Sequence, residues 1–137
     1  MLASVMGVSV MKETSTRYKY NAAIQGFLLW SCWAFYVNYK VSIFAGIKAG
    51  LVQGLFSFFA TLIVIFLLTK LYNYFELRVL KLLASPTIMI AGLSTILVSA
   101  HIVAETPKIL PTIAPSLLVA ILFISFTTYK LANAKTH

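Results

Sequence analysis

The sequence predicts an all-α fold, an integral membrane bundle of four transmembrane helices with both termini on the cytoplasmic side (N-in/C-in). Hydrophobic residues make up 61% of the 137 residues and charged residues only 10%, whereas a soluble domain is about 45–50% apolar and about 25% charged. The apolar residues fall into four runs, and short polar segments that carry the basic residues separate them. This composition excludes a water-soluble globule, and its high hydrophobicity excludes intrinsic disorder.

Residues 1–21 are predicted to form an N-terminal cytoplasmic tail. Residues 1–10, MLASVMGVSV, are apolar but too short to span a bilayer, and the basic residues follow them, which reverses the order of a secretory signal peptide. The segment MKETSTRYKY, which starts at Met11, is typical of a basic tail. Met11 is therefore an alternative natural start, with residues 1–10 upstream of it, and a short interfacial segment is the other interpretation.

The transmembrane domain is predicted over residues 22–132, and residues 133–137 follow it as a cytoplasmic tail. Its first apolar run, residues 22–37, has only 16 residues, below the roughly 17–25 that a spanning helix needs, so the helix should continue for two more residues. The second run, residues 45–68, continues toward Phe75 and is long enough to span with tilt.

The third and fourth runs each contain proline near the predicted helix start. The third covers residues 86–104, with Ser85 before it as the predicted N-cap. The fourth covers residues 109–129, where Pro111 fits the first turn. Pro115 removes one backbone hydrogen bond, which membrane helices tolerate when a neighbour satisfies the freed carbonyl. A β-barrel would need alternating apolar and polar strands, which these runs lack, so four helices are predicted.

The basic residues set the predicted orientation. With the N-terminus inside, eight Lys and Arg residues lie on the cytoplasmic side and three on the other, an asymmetry that the positive-inside rule favours. The eight are Lys12, Arg17, Lys19, Lys70, Arg78, Lys81, Lys130 and Lys135, and the three are Lys40, Lys48 and Lys108. Basic residues scattered in this way flank membrane segments and do not form a nucleic-acid surface, so no nucleic-acid partner is predicted.

The second helix carries a face of small and polar residues, predicted to be a helix-packing face. The face consists of Gly46, Gly50, Gly54, Gln53, Ser57 and Thr61. Glycines spaced by four let another helix backbone approach closely, and at 100° per residue the polar side chains share a face about 100° wide with them. The favoured interpretation is a packing seam in which Gln53 forms hydrogen bonds between helices. The alternative is a polar path for a substrate.

His101 and Glu105 form the one ionisable cluster of the third helix, and their spacing of four places them on one helix face. The favoured interpretation is a hydrated interfacial cluster that holds the loop ETPK. The alternative is a titratable site at the mouth of a cavity, because ionisable groups at the membrane are functional candidates and His titrates near neutral pH.

The inventory of reactive residues predicts no enzyme. The chain has three acidic residues, Glu13, Glu76 and Glu105, and no Asp. It shows no Ser/His/Asp arrangement, no glycine-rich phosphate loop and no paired carboxylates. The single Cys32 allows no internal disulfide and no cysteine metal site. The sequence therefore predicts no catalytic residue, no cofactor and no metal ion.

Three stretches, NAAIQGFLLWSCWAFYVN, KAGLVQGLFSF and ETPKILPTIAP, resemble a family of small four-helix inner-membrane proteins of Gram-negative bacteria, over residues 12 to about 130. The resemblance implies a multi-pass location in the bacterial inner (cytoplasmic) membrane and no particular activity. In outline the chain is also similar to the GtrA-like proteins, which are thought to flip polyprenyl-phosphate-linked sugars. Its ending, SFTTYKLANAK, departs from the Asn and Arg/Lys-aromatic ending of that family.

These observations predict a non-enzymatic integral inner-membrane protein that acts as an oligomer or as a subunit of a membrane complex. Its expected partners are membrane lipids and either a second copy of the chain or another membrane protein. Two alternatives remain open, a small transporter or flippase of a lipid-linked or amphipathic substrate, and a holin-like pore former. A polar cavity that reaches Gln53 or His101 would favour the transporter.

Overall fold

The computed structural model describes the backbone of residues 2–134 and the side chains of residues 16–134. Within this range the chain is all-helical, as predicted, and its four helices are α1 (Leu2–Asn38), α2 (Ile43–Tyr74), α3 (Arg78–Val103) and α4 (Ile109–Ala134). Short connections make neighbouring helices run in opposite directions, as in an up-and-down bundle. Lys135, most of the predicted C-terminal tail, and the side chains of Lys12 and Glu13 lie outside the described residues.

Three of the helices, α2, α3 and α4, are long and apolar enough to cross a membrane. They contain 32, 26 and 26 residues, more than the roughly 20 that a spanning helix needs. Their outer surfaces carry large exposed apolar side chains, among them Phe59, Phe66 and Leu122. In the described part of the chain, α1 does not meet the same criterion, because Asn21, Gln25 and other polar residues interrupt its apolar run.

Two helices begin more than one turn earlier than the sequence predicted. α1 starts at Leu2 and continues to Asn38, so the predicted tail is helical as far as the structure describes it. α3 starts at Arg78 instead of Pro86, and Ser85 is a buried residue inside the helix, not its N-cap. Pro86 removes only one backbone N–H group, and the preceding residues VLKLLA are mostly good helix formers, so the helix continues across the proline.

α1 packs against the glycines of α2. A Cβ atom on Gly46 would lie 2.9 Å from the Phe35 ring, and one on Gly50 would lie 3.0 Å from the backbone carbonyl oxygen of Ser31. Both glycines, together with Gly54, are buried. The three glycines of the predicted packing face therefore lie against a helix of the same chain, at a separation that only glycine permits.

An apolar cluster joins the other three helices between the middle of the bundle and the end where α2 leads into α3. It contains Val64 and Leu68 from α2, Met89 from α3 and Ile124 from α4. The opposite end, where α1 leads into α2, is called the polar end below, because buried polar side chains from every helix meet there.

Candidate functional site

Two groups of hydrogen-bonded polar side chains lie near the polar end, one joining α1 to α4 and the other joining α2, α3 and α4. We call the two groups together the polar network, and its members are Asn38, Gln53, His101, Thr106, Thr112 and Ser116. Four of these six side chains are completely buried. Buried polar groups are costly unless they are hydrogen-bonded, so the arrangement of their hydrogen bonds decides how the helices fit together.

The C-terminal turn of α3 places Thr106 next to His101. The Thr106 N–H donates to the His101 carbonyl at 3.0 Å, and the Glu105 N–H donates to the Ile102 carbonyl at 3.0 Å. These are the two bonds of a Schellman cap, which requires a left-handed backbone at Glu105, where φ is 56°. The turn brings the Thr106 hydroxyl to 2.8 Å from Nδ1 of His101.

Replacing Glu105 with Gly is expected to raise the free energy of unfolding by about 1 kcal/mol, because a side chain in the left-handed region costs roughly that much. The lost contact between the exposed carboxylate and Lys48, at 3.8 Å, contributes little. Thermal unfolding in detergent measures the effect. Glu105→Ala keeps the backbone strain and is the control, so a Gly variant no more stable than the Ala variant would contradict this account.

His101 joins α3 to α2 and, through Gln53, to α4. Its Nε2 lies 2.8 Å from Oε1 of Gln53, and an amide oxygen only accepts, so Nε2 carries the proton and donates. Nδ1 then accepts from the Thr106 hydroxyl in a neutral imidazole. Nε2 of Gln53 donates to the Ser116 hydroxyl oxygen at 2.8 Å, and the Ser116 hydroxyl donates to the Ile113 carbonyl at 2.9 Å. The hydrogen bonds therefore run in one direction across three helices.

Asn38, the last residue of α1, holds the start of α4. Its Nδ2 donates to the Thr112 hydroxyl oxygen at 2.8 Å and to the Ala34 carbonyl at 2.9 Å. Its Oδ1 accepts the backbone N–H of Lys108 at 3.0 Å. Because Lys108 immediately precedes α4, Asn38 satisfies a backbone group at a helix end that would otherwise lack a partner.

Trp33 replaces the hydrogen bond that Pro115 removes from α4. Pro115 has no N–H group, so the carbonyl of Pro111, four residues earlier, loses its normal partner within the helix. Nε1 of Trp33 donates to this carbonyl at 3.1 Å. A neighbouring helix thus satisfies the freed carbonyl, which is the condition under which a proline is tolerated in a membrane helix.

A double-mutant cycle tests this replacement. Trp33→Phe should lower the free energy of unfolding by about 1–2 kcal/mol, because it leaves the Pro111 carbonyl without a donor. In a Pro115→Ala background the same change should cost much less, because the substituted alanine supplies the backbone N–H itself. Unfolding of the four proteins in detergent measures the coupling. Equal costs of Trp33→Phe in both backgrounds would show that the indole does not serve this carbonyl.

The predicted site residues separate into different surroundings. His101 is completely buried, whereas the Glu105 side chain is 85% exposed beside Lys48. Their spacing of four would place them on one face only in a continuous helix, but α3 ends at Val103. The structure therefore joins His101 to Gln53 and Thr106. That these groups titrate in a functional process stays a prediction.

A cavity of about 230 Å³ is lined by residues of all four helices, with Trp30 as the contribution of α1, and adjoins the polar network at Gln53 and Ser116. The polar residues Ser57 and Thr61 of the predicted packing face also line it. The Thr61 hydroxyl donates to the Ser57 carbonyl at 2.7 Å. The face of α2 thus serves two neighbours, because its glycines contact α1 while its polar side chains point to the polar network and the cavity.

The chain matches no protein family model, no curated protein and no solved structure. Within residues 16–134 no three His, Cys, Asp or Glu side chains come together as a possible metal site. Cys32 is a free thiol on the exposed side of α1. The polar network and the cavity are therefore the features that bear on function.

Proposed function

We propose that this protein is a non-enzymatic, multi-pass protein of the bacterial inner membrane that acts as an oligomer or as a subunit of a membrane complex. The observation that carries the proposal is the distribution of polarity. Amide, imidazole and hydroxyl groups lie inside the bundle and bond to one another, whereas exposed Phe, Leu and Ile side chains cover the outside of α2, α3 and α4. A chain with this surface needs lipid or an apolar partner around it.

We also propose that all four helices span the membrane and that both termini lie in the cytoplasm. The described basic side chains support this orientation, because six lie toward the end where α2 leads into α3 and three toward the polar end. Lys70, Lys81 and Lys130 in the first group extend over aromatic rings, with ammonium-to-centroid distances of 4.6, 5.5 and 4.7 Å. Long basic side chains behave in this way at a membrane interface.

The orientation predicts the result of reporter fusions in a bacterial host. A reporter that is active only in the cytoplasm should be active when fused after His137 and silent when inserted into the loop from Glu105 to Lys108. A protein that does not sediment with the membranes, or the reverse pattern of activity, would contradict the proposal. The proposed assembly is tested with protein extracted from the same membranes in mild detergent. The mass of the protein should exceed that of one chain plus its detergent.

A second candidate, a small transporter or flippase of a lipid-linked or amphipathic substrate, has one observation in its favour. The cavity reaches Gln53, as predicted for such a protein, although the cavity of a transporter was predicted to be polar. Its walls are mainly apolar and include Trp30, Phe56 and Phe123. Such walls fit an amphipathic substrate better than an ion. The holin-like alternative has no comparable observation in its favour.

A further inference from the structure

We propose that the cavity next to Gln53 and Ser116, which residues of all four helices line, binds one hydrocarbon chain of a membrane lipid that enters sideways from the bilayer. This inference rests on the proposed spanning orientation, and it names the ligand for the second candidate function. Three features of the cavity support the inference: its depth in the membrane, its lining and its opening.

The cavity lies at the middle of the bundle's longest apolar helix. Its lining on α2 runs from Gln53 to Val64, and each of these residues is ten positions from an end of the helix, at Ile43 or Tyr74. At 1.5 Å per residue each of the two residues is about 15 Å from the nearer end of the helix, and the hydrocarbon core of a bilayer is about 30 Å thick. The cavity of a spanning bundle therefore lies near the bilayer midplane, where charged groups are unfavourable and lipid chains belong.

The lining offers apolar contact and few free polar groups. Among the described residues, those that line the cavity include no charged side chain. The Thr61 hydroxyl bonds to the Ser57 carbonyl, and the Ser116 hydroxyl bonds to the Ile113 carbonyl. These hydroxyls therefore do not need a ligand to satisfy them. A sugar or phosphate group would find little to bind here, whereas a hydrocarbon chain would contact aromatic and aliphatic walls.

The cavity opens toward the lipid. Val119 and Phe123 of α4 belong to its lining, and their exposed fractions are 52% and 44%. The volume of about 230 Å³ exceeds the 150 Å³ of an engineered apolar cavity in another protein that binds benzene. It is therefore large enough for a segment of a lipid chain, which would gain dispersion contacts with the apolar walls.

Trp30 provides a reporter, because it lines the cavity and the chain has only one other tryptophan. All variants for this test carry Trp33→Phe, so that the fluorescence comes from Trp30. The proteins are reconstituted in vesicles of phosphatidylethanolamine and phosphatidylglycerol whose chains carry bromine near their middle. Bromine quenches only on contact, so a chain inside the cavity should quench Trp30, and filling the cavity by Ala120→Phe should lower the quenching constant about threefold.

The matched control is Ala91→Phe, the same substitution on the exposed side of α3, which should leave the quenching constant unchanged. Ala60→Phe fills the same cavity from α2 and replaces Ala120→Phe if that variant fails to fold, as judged by helical circular dichroism. The proposal is overturned if both filling variants are quenched like the parent, or if Ala91→Phe lowers quenching equally. Protein that does not float with the vesicles would instead contradict the proposed membrane location.

Discussion

Gly50→Leu is expected to lower the free energy of unfolding by about 3 kcal/mol or more and to separate α1 from α2. A Cβ atom at this position would lie 3.0 Å from the backbone carbonyl oxygen of Ser31 and 3.6 Å from Cβ of Phe35. Since the nearest atom belongs to a backbone, no side-chain rotation relieves the contact and α1 must move as a unit. Overpacking of a tight contact costs about 1–3 kcal/mol, and more when backbones must shift.

Gly92→Leu is the matched control, because a Cβ atom on Gly92 would meet nothing within 4 Å. It should leave stability unchanged or raise it slightly, since glycine in a helix costs about 1 kcal/mol relative to good helix formers. Phe59→Leu, on the exposed side of α2, should also be nearly silent. Thermal unfolding in detergent, followed by circular dichroism, compares the three variants. If the Gly50 and Gly92 variants unfold at the same temperature, α1 does not pack on the glycine face.

Gln53→Leu should have the second large effect, a loss of about 2–3 kcal/mol. The substitution leaves Nε2–H of His101 buried without an acceptor and removes the donor to Ser116. A buried group that loses its partner costs about 1–3 kcal/mol. Chemical denaturation in detergent gives the difference in free energy, and the helical content at low denaturant shows whether the variant still folds.

The double variant Gln53→Leu/His101→Leu gives the sharper result. Replacing both partners of a buried hydrogen bond with apolar groups of similar shape is nearly neutral, so the double variant should be more stable than Gln53→Leu alone. Thr95→Val serves as the control, because the exposed Thr95 hydroxyl bonds only to the Ala91 carbonyl of its own helix. A double variant that is less stable than the single variant would show that Gln53 acts mainly through its shape.

The features that rest on hydropathy and local spacing could be predicted from the sequence. Four helices are present, α4 begins at Ile109 as predicted, and α2 covers the predicted apolar run. The small residues of α2 do meet a neighbouring helix. A glycine pattern reports how closely a backbone can approach, but it does not report which helix approaches, so the division of this face between α1 and the cavity could not be derived.

The hydrogen bonds between helices could not be predicted from the sequence, because they join residues that are far apart along the chain. Trp33 and Pro111 are 78 positions apart, and His101 and Gln53 are 48 apart. The pairing of His101 with Glu105 assumed that α3 continues past Val103. Pro107 is the sequence signal that α3 ends before Glu105, and this signal argues against placing His101 and Glu105 on one helix face. Conversely, Pro86 indicated the start of α3, whereas α3 begins at Arg78 and continues through Pro86.

The close packing of α1 on the glycines of α2 has a consequence for biosynthesis. For a chain inserted as proposed, α1 leaves the ribosome before α2, α3 and α4, and it is less apolar than these helices. Its Asn38 lacks its bonds to Lys108 and Thr112 until α4 has been made. We therefore expect α1 to enter the bilayer stably only when α2 arrives, so that the two insert as a helical hairpin, and a nascent chain truncated before α2 should remain at the membrane surface.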